Sequence, residues 1–508
     1  MSRIRNTALN FMSKSFVLLL SNILSFISRT IFINVLGNSY LGVNGLLSNV
    51  LMMLSLSELG IGTAITFSLY EPISQDNKEK IKSLMNFYKN TYRIIGVFVF
   101  ILGIFLMIFL DYLVPNPGDV KNLKLIFFIY VFNSTITYFL SYKNTLLIAD
   151  QKEYLLLKSN TFFSILNILL QMLSLIIFKS YIIYLLVNMV VLFIQRIYVN
   201  NYISKIYPYL NDRDYEKLPK NEFNKIVINV KAMIWHKIGD YCINGTDNII
   251  ISMFNKIISV GLYSNYNLIF STVNSFIGMI YSSMTASVGN LLASETDEKK
   301  FEIYKVIEFI GFWLYGFSSI CFYNLITPFI SLWIGSNNLL SNAILIVLVI
   351  NNYMLGMRVP IFTIKSAAGL YDQDKFVPLV QSIINLFVSI ILIKRIGLIG
   401  VFIGTLISGL IPSLYRPYLV YKEVFKRSSL EYYKQYIKNI LLLVSISYGI
   451  NILCSMILMS SDIGSFAIKV LICTTIPNII FIIIFHKKDE FKYILNILKK
   501  FKKIKKVA

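Results

Sequence analysis

The chain has 508 residues, of which 56% are hydrophobic and only 15% are charged. A soluble protein of this length carries nearer a quarter of charged residues, so the composition excludes a soluble globular domain and indicates a polytopic membrane protein. The formal net charge of +22 could suggest nucleic acid as a partner. The lysines and arginines fall in loops and a tail between apolar segments, however, and that distribution orients helices in a membrane.

Apolar runs that approach the length of about 20 residues needed to cross a bilayer recur along the whole chain. They lie at 12–36, 43–70, 92–114, 122–149, 154–178, 180–204, 229–255, 258–292, 304–333, 340–370, 376–396, 398–421, 436–459 and 463–486. The first run follows a basic flank and lacks a small-residue cleavage site, which favours a transmembrane helix over a signal peptide. The sequence therefore predicts an all-α polytopic membrane protein with about 14 transmembrane helices.

The hydrophilic segments between these runs alternate in charge. Those after the odd-numbered runs are short and poor in cations, for example 37–40 and 335–342. Those after the even-numbered runs are basic, for example 71–93, 196–237 and 416–438. Since cytoplasmic loops carry an excess of lysine and arginine, both termini are predicted to be cytoplasmic.

Two internal matches indicate a duplication. Lys143 and Lys365 are each followed seven residues later by an Asp-Gln pair. Segments 40–42 and 259–261, predicted to be turns, match at nearly the same offset. Parallel repeats of this kind occur in transporters that handle substrate at the repeat interface. We expect two six-helix lobes in a parallel pseudo-twofold repeat, with two appended helices. The predicted divisions are a lobe at 1–204, a basic cytoplasmic linker at 205–228, a second lobe at 229–425, appended helices at 426–486 and a basic amphipathic tail at 487–508.

The segment 29–72 carries a family resemblance. It contains an arginine (Arg29), then LG..YLG.NGL, then SLSELGIG, and ends in Tyr70-Glu71-Pro72. This pattern resembles the opening of Wzx-type oligosaccharide flippases of the multidrug/oligosaccharidyl-lipid/polysaccharide exporter superfamily. It is specific over about the first hundred residues and looser beyond them. The resemblance implies two lobes forming a V that opens alternately to either side of a bacterial plasma membrane.

Four cations lie in or near the predicted spans, where an ionisable side chain costs at least a few kcal/mol and suggests function. The resemblance implies a cationic cavity, in which Arg29 would bind the pyrophosphate of a lipid-linked sugar through its planar fork. The alternative for Arg29 is a structural ion pair, for example with Glu58 or Asp247. The lysines of the repeat could clamp a phosphate near the cytoplasmic entrance or simply extend to the interface. The candidate substrate-binding residues are Arg29, Lys143, Arg358 and Lys365.

Acidic groups in the spans leave similar alternatives open. Glu58 could take up a proton or cation, pair with Arg29, or cap a helix break near Gly60 and Gly62. Asp240 and Asp247 share a helix face and could couple an ion or neutralise arginines. Glu308 in the ninth span presents the same alternatives.

Enzyme motifs are absent from the sequence. It contains no P-loop, GxSxG, HExxH or paired CxxC. Its two histidines, His236 and His486, make a histidine-based metal site hardly feasible. We therefore expect a protein that is not an enzyme, with no metal and no cofactor.

The most consistent interpretation is a flippase. It would move undecaprenyl-pyrophosphate-linked oligosaccharide repeat units across the cytoplasmic membrane by alternating access, for assembly of a surface polysaccharide such as capsule. Its expected partners are that substrate, membrane lipids and other polysaccharide-assembly membrane proteins, and not nucleic acid. The alternatives are a cation-coupled multidrug exporter of the same superfamily and a membrane polysaccharide polymerase, although polymerases generally need a large outer loop.

Overall fold

The computed structural model describes residues 2–58, 61–212, 218–220, 222–224, 226–227, 230, 241, 245–457, 462–496 and 499. Regular structure in these residues is helical, and eleven of the helices are long and apolar enough to cross a membrane. Many of their large apolar side chains are exposed, as lipid-facing surfaces require. The prediction of an all-α, multi-pass membrane protein is confirmed.

Three predicted spans have no counterpart among these eleven helices. Span 43–70 is divided, about half of span 229–255 lies outside the described residues, and span 258–292 is a helix that is rich in asparagine and serine. The other spans match observed helices. Hydropathy therefore located most of the membrane-crossing helices.

The chain forms two compact units, Met1–Ser264 and Asn265–Ala508. The boundary between them lies within a helix at Ile257–Ser294, whereas the sequence repeats place the lobe boundary at 205–228. The first unit contains α1 (Ser2–Leu54), a 3-10 turn (Ser55–Glu58), α2 (Ile61–Ser74), α3 (Lys78–Ile108), α4 (Leu110–Leu113), α5 (Leu123–Leu140), α6 (Asn144–Ala149), α7 (Glu153–Phe178), α8 (Tyr181–Ile206), α9 (Thr246–Phe254) and the start of α10 (Ile257–Ser294).

In the first unit α3 packs on α5, α7 packs on α8, and α1 packs on α7. Gly37 interrupts α1 with φ 84° and ψ 176°, a conformation that glycine adopts without steric cost. Two other glycines bring α1 and α10 together. A Cβ on Gly42 would lie 2.0 Å from the Ile257 carbonyl oxygen, and one on Gly261 would lie 2.2 Å from the Asn38 carbonyl oxygen. The predicted turns at 40–42 and 259–261 are therefore helical. Each segment contains a glycine because the two helix backbones touch there and leave no room for a side chain.

The second unit contains the rest of α10, then α11 (Asp297–Ile334), α12 (Asn342–Ala367), α13 (Val377–Ile396), α14 (Ile399–Val420), a π-helical turn (Tyr421–Phe425), α15 (Leu430–Ile457) and α16 (Ile463–Phe485). Helices α13 and α14 pack on each other, α14 also packs on α12, and α11 contacts α12 and α16. Helices α15 and α16 correspond to the two predicted appended spans. Asn324 of α11 donates to Ser447 Oγ at 3.4 Å, and Trp313 Nε1 donates to Asn478 Oδ1 at 2.8 Å. These polar contacts join the appended helices to α11.

The basic loops are shorter than the sequence predicts. Most of the predicted loop 71–93 is helical, because α3 begins at Lys78 behind the N-cap Asn77, whose side chain accepts from the Lys80 N–H at 3.0 Å. The predicted loop 416–438 likewise contains the end of α14 and the start of α15. Hydropathy marks where a helix leaves the lipid, whereas the helix itself continues until its backbone is capped.

Candidate functional site

Arg29 lies in α1 and has no ion-pair partner among the described residues. Its Nη1 is withdrawn from solvent without a hydrogen-bond partner. The ionisable side chain in electrostatic range is Tyr184 of α8. Phe32, one turn further along α1, meets the Tyr184 ring edge-on at 5.4 Å. The guanidinium therefore lies beside the aromatic side chain of Tyr184, and its Nη1 can still donate a hydrogen bond.

A hydroxyl network that sequence reasoning missed adjoins Tyr184, whose ring stacks on that of Tyr181 at 5.9 Å. Tyr130 donates to Asn44 Oδ1, and the Tyr130 and Tyr181 hydroxyls are 3.0 Å apart. Tyr181 also reaches Asn44 Oδ1 at 3.3 Å, and the Tyr40 ring meets the Tyr181 ring at 5.3 Å. A signal was present, because Tyr40 and Asn44 are one helical turn apart within the resemblance motif. The network joins α1, α5 and α8 and holds the helices around Arg29.

Glu58 ends the 3-10 turn between α1 and α2 and lines a cavity of about 670 Å³ in the first unit. Tyr92 of α3 donates a hydrogen bond to Glu58 Oε1. The Tyr88 and Tyr92 rings are 4.2 Å apart, and Thr145 donates to the Tyr88 hydroxyl at 3.3 Å. Glu58 is thus held by tyrosines and is not paired with Arg29. The cavity combines one carboxylate with aromatic faces, which is a chemistry suited to a cation.

Gly62 makes this arrangement sterically feasible. A Cβ at this position would lie 2.9 Å from the Tyr88 hydroxyl oxygen and 3.2 Å from Glu58 Oε1. Both distances are shorter than ordinary van der Waals contact, so a side chain there would displace the hydroxyl or the carboxylate. The glycine lets α2 approach α3 closely at the level of the cavity.

The two matched lysines of the repeat have different partners. Lys143 is buried and its Nζ lies 2.5 Å from Ser204 Oγ at the end of α8. Lys365 is 2% exposed and is paired with Asp374, which is fully buried. Arg416 of α14 binds the other carboxylate oxygen of Asp374 through Nε at 2.9 Å. Lys365 therefore belongs to a buried network of two cations and one carboxylate.

Arg358 lies on α12 with Arg416, Tyr436 and Tyr432 as its electrostatic neighbours. Its Nε donates to the Met354 carbonyl oxygen at 3.3 Å, a bond within its own helix. The described residues provide no carboxylate within ion-pair distance of Arg358. Its role as a substrate-binding residue therefore stays a prediction.

The predicted acidic candidates on the seventh span are only partly described. Asp240 and its neighbour His236 lie outside the described residues. Asp247 lies in the first turn of α9, and Tyr263 of α10 is within its electrostatic range. Whether Asp240 and Asp247 couple an ion or neutralise arginines therefore stays a prediction.

At the predicted cytoplasmic end of the first unit, Asp150 receives hydrogen bonds from Lys152, whose Nζ lies 2.7 Å from Oδ2, and from the Tyr207 hydroxyl. Burial by itself would raise the pKa of Asp150, but the hydrogen bonds from Lys152 and Tyr207 and the lysine charge outweigh it, and the pKa is lowered. Burial, together with Asp150 and Asp76, raises the pKa of the nearby Tyr209 to about 12.

We expect Asp150 to make a pH-dependent contribution to stability. Because its pKa is lower in the folded protein, the contribution is complete above the unfolded value of about 3.9 and is lost as pH falls through the folded value. Wild type should therefore melt above Asp150→Asn at neutral pH, and the two melting temperatures should begin to converge near about pH 4 and meet only below the folded pKa of Asp150. An equal difference at every pH would contradict this. Asp111→Asn, at an exposed surface pair with Lys124, is the matched control.

The comparisons with known proteins show the fold of this chain. No family model matches the chain, and no curated protein matches it. Among solved structures, the lipid II flippase MurJ in an inward closed conformation aligns with a TM-score of 0.66 at 17% identity, over 93% of this chain and 98% of that one. An inward-facing multidrug resistance MATE transporter of the MOP superfamily aligns with a TM-score of 0.59 at 14% identity, over 78% of this chain and 93% of that one.

A third alignment involves a MOP-superfamily transporter from Pyrococcus furiosus, described as having a binding pocket of reverse polarity. Its TM-score is 0.52 at 13% identity, over 79% of this chain and 91% of that one. These alignments span nearly the full length of each known transporter. The chain is a multi-pass membrane protein with the fold shared by the MurJ flippase and the MATE transporters.

Proposed function

We propose that the protein is a flippase for an undecaprenyl-pyrophosphate-linked oligosaccharide in a bacterial cytoplasmic membrane, with both termini cytoplasmic. The observation that carries the proposal is the Arg29 guanidinium, which lies in a membrane-spanning helix without a carboxylate partner among the described residues. An arginine in that setting is costly unless an anion compensates it. A transported pyrophosphate would supply that anion.

The chemistry of the headgroup fits an arginine. A pyrophosphate leaving water loses strong hydration, and a guanidinium replaces part of it with two parallel charge-assisted hydrogen bonds. Tyr184 beside Arg29 is only partly buried and could offer an aromatic face to a sugar ring. Alternating access would carry the headgroup through the protein while the lipid tail stays in the bilayer.

An apolar groove in the second unit supports a substrate with a long hydrocarbon chain. It lies between α15 and α16 and has a volume of about 460 Å³. Its lining is almost entirely aliphatic and includes Ile446, Ile450, Leu453, Ile476 and Ile480. Such a surface offers a prenyl chain contacts that a purely hydrophilic substrate would not use.

The transported unit would then enter surface polysaccharide assembly together with other membrane proteins of that process. The test is a deletion strain in which the leaflet that holds the lipid-linked oligosaccharide is determined from lipid extracts. Complete units accumulating on the cytoplasmic side, with loss of surface polymer, are the expected result. Normal export of units without polymer would indicate a polymerase instead.

The Glu58 cavity favours a second candidate, a cation-coupled exporter of cationic small molecules. One carboxylate in a cavity lined by four tyrosines, Tyr70, Tyr88, Tyr92 and Tyr138, resembles the environment in which organic cations are held by charge and aromatic faces. In that case the same deletion strain would show increased sensitivity to cationic drugs and unchanged leaflet distribution of the lipid-linked oligosaccharide. The two measurements on one strain separate the candidates.

A further inference from the structure

The second unit contains a charged cavity that the proposed function does not use. It has a volume of about 170 Å³ and lies between α11, the π-helical turn, α15 and the segment after α16. Lys305 and Glu308 face it from α11, and Glu431 faces it from α15. Lys488 and Glu490 close it from the end of α16. A charged cavity between membrane helices is costly unless something occupies it.

Glu308 lies at the buried end of this cavity. Its Oε1 is withdrawn from solvent and has no hydrogen-bond partner. Neither lysine is ion-paired with Glu308 among the described residues, because Lys305 reaches Glu490 at 4.0 Å and Lys488 acts on Glu308 only at longer electrostatic range. A buried carboxylate oxygen without a partner costs a substantial fraction of its desolvation energy.

The lining of the cavity has more acidic than basic side chains. Three carboxylates and two ammonium groups line it, but Glu431 is exposed and the Lys305 side chain is 40% exposed, so the buried charge that lacks compensation is that of Glu308. The neutral lining also suits a small cation. Gln435 and Asn439 also line the cavity, and Gln435 Nε2 donates to Asn439 Oδ1 at 2.8 Å, a bond that does not use the Gln435 amide oxygen. Carboxylate and amide oxygens are the ligands that hard cations prefer.

We propose that this cavity binds one monovalent cation at Glu308, either a sodium ion or a proton. A divalent ion is disfavoured, because no three carboxylates of the described residues converge as a metal-binding group. The bound cation neutralises Glu308 and stabilises the packing of α15 and α16 on α11. The inference does not depend on the identity of the transported substrate.

The test is melting of the purified full-length protein in nanodiscs. Trp313 provides a fluorescence signal at the same interface, since it bonds to Asn478 and stacks on Phe491 at 5.8 Å. Melting is compared in sodium chloride and choline chloride at constant ionic strength, and then across pH in choline. Binding of radioactive sodium is measured in parallel.

For a sodium site, sodium should raise the wild-type melting temperature, and Glu308→Gln should abolish the rise and reduce sodium retention at least about tenfold. For a proton site, sodium has no effect and the wild type loses stability relative to Glu308→Gln as pH rises, because the carboxylate ionises without a partner. In choline at high pH, Glu308→Gln should be at least as stable as wild type, since it removes an unpaired charge.

The other titratable groups that face Glu308 are held constant by comparing matched variants. These groups are Tyr281, Tyr304, Lys305, Tyr353, Tyr421, Glu431, Tyr432, Lys488 and Glu490. The control is Glu302→Gln, which changes an exposed glutamate of the same helix that pairs with Lys299 at the surface. A sodium or pH response that is unchanged in Glu308→Gln, or the absence of both responses in wild type, overturns the proposal.

Discussion

Replacing Arg29 by alanine should abolish export of the lipid-linked substrate and leave the protein inserted in the membrane. Removing one partner of a desolvated charge pair costs about 2–5 kcal/mol, which corresponds to a loss of roughly 30-fold or more in the binding constant. Folding should not suffer, since the guanidinium has no carboxylate partner among the described residues to leave behind. Surface polymer and the amount of protein in the membrane fraction are the two measurements.

Two further variants sharpen this result. Arg29→Lys keeps the charge and loses the planar fork, so we expect partial export. Lys124→Ala removes a cation from an exposed pair with Asp111 and should export normally. Normal export by Arg29→Ala would refute the role of Arg29, whereas loss of both export and membrane protein would point to a structural role.

The sequence predicted the helices well wherever a span faces lipid. Apolar runs are long there because every backbone group in the hydrocarbon must be bonded within its own helix. The sequence predicted the ends of the helices poorly. The lysine-rich start of α3 was interpreted as a loop, because hydropathy responds to the charge of Lys78, Lys80 and Lys82 and not to the backbone, which continues as helix.

The candidate site was predictable in part for a similar reason. Arg29 and Glu58 stand out because each is a charge within an apolar run. Their surroundings could not be predicted, since Tyr92 and Tyr184 come from distant helices and tyrosines in such a chain are ordinarily interfacial anchors. The partner of Lys365 was hidden because Asp374 lies in a turn, where a carboxylate is normally solvated.

The Asp374 network carries the largest expected effect on stability. Asp374 is fully buried and accepts from Lys365, which is 2% exposed, and from Arg416, which is 15% exposed. Asp374→Asn leaves the buried Lys365 and the partly buried Arg416 without an anion, which should cost about 3–5 kcal/mol. We expect a large drop in melting temperature and in the amount of folded protein in the membrane.

Asp372→Asn is the matched control, two residues earlier in the same turn. Asp372 is 86% exposed and pairs with Lys375 at the surface, so its removal should change stability by about 0.5 kcal/mol or less. If the two variants melt at the same temperature, the buried network does not stabilise this unit.

Lys365→Met then separates structure from transport. It should be milder than Asp374→Asn, because Asp374 keeps its bond to Arg416 and a methionine fills the lysine's volume. If Lys365 acts only within the network, export should fall no further than the loss of folded protein explains. Loss of export at a wild-type melting temperature would instead mean that the ammonium leaves Asp374 during the cycle to meet the substrate, as the sequence repeat suggested.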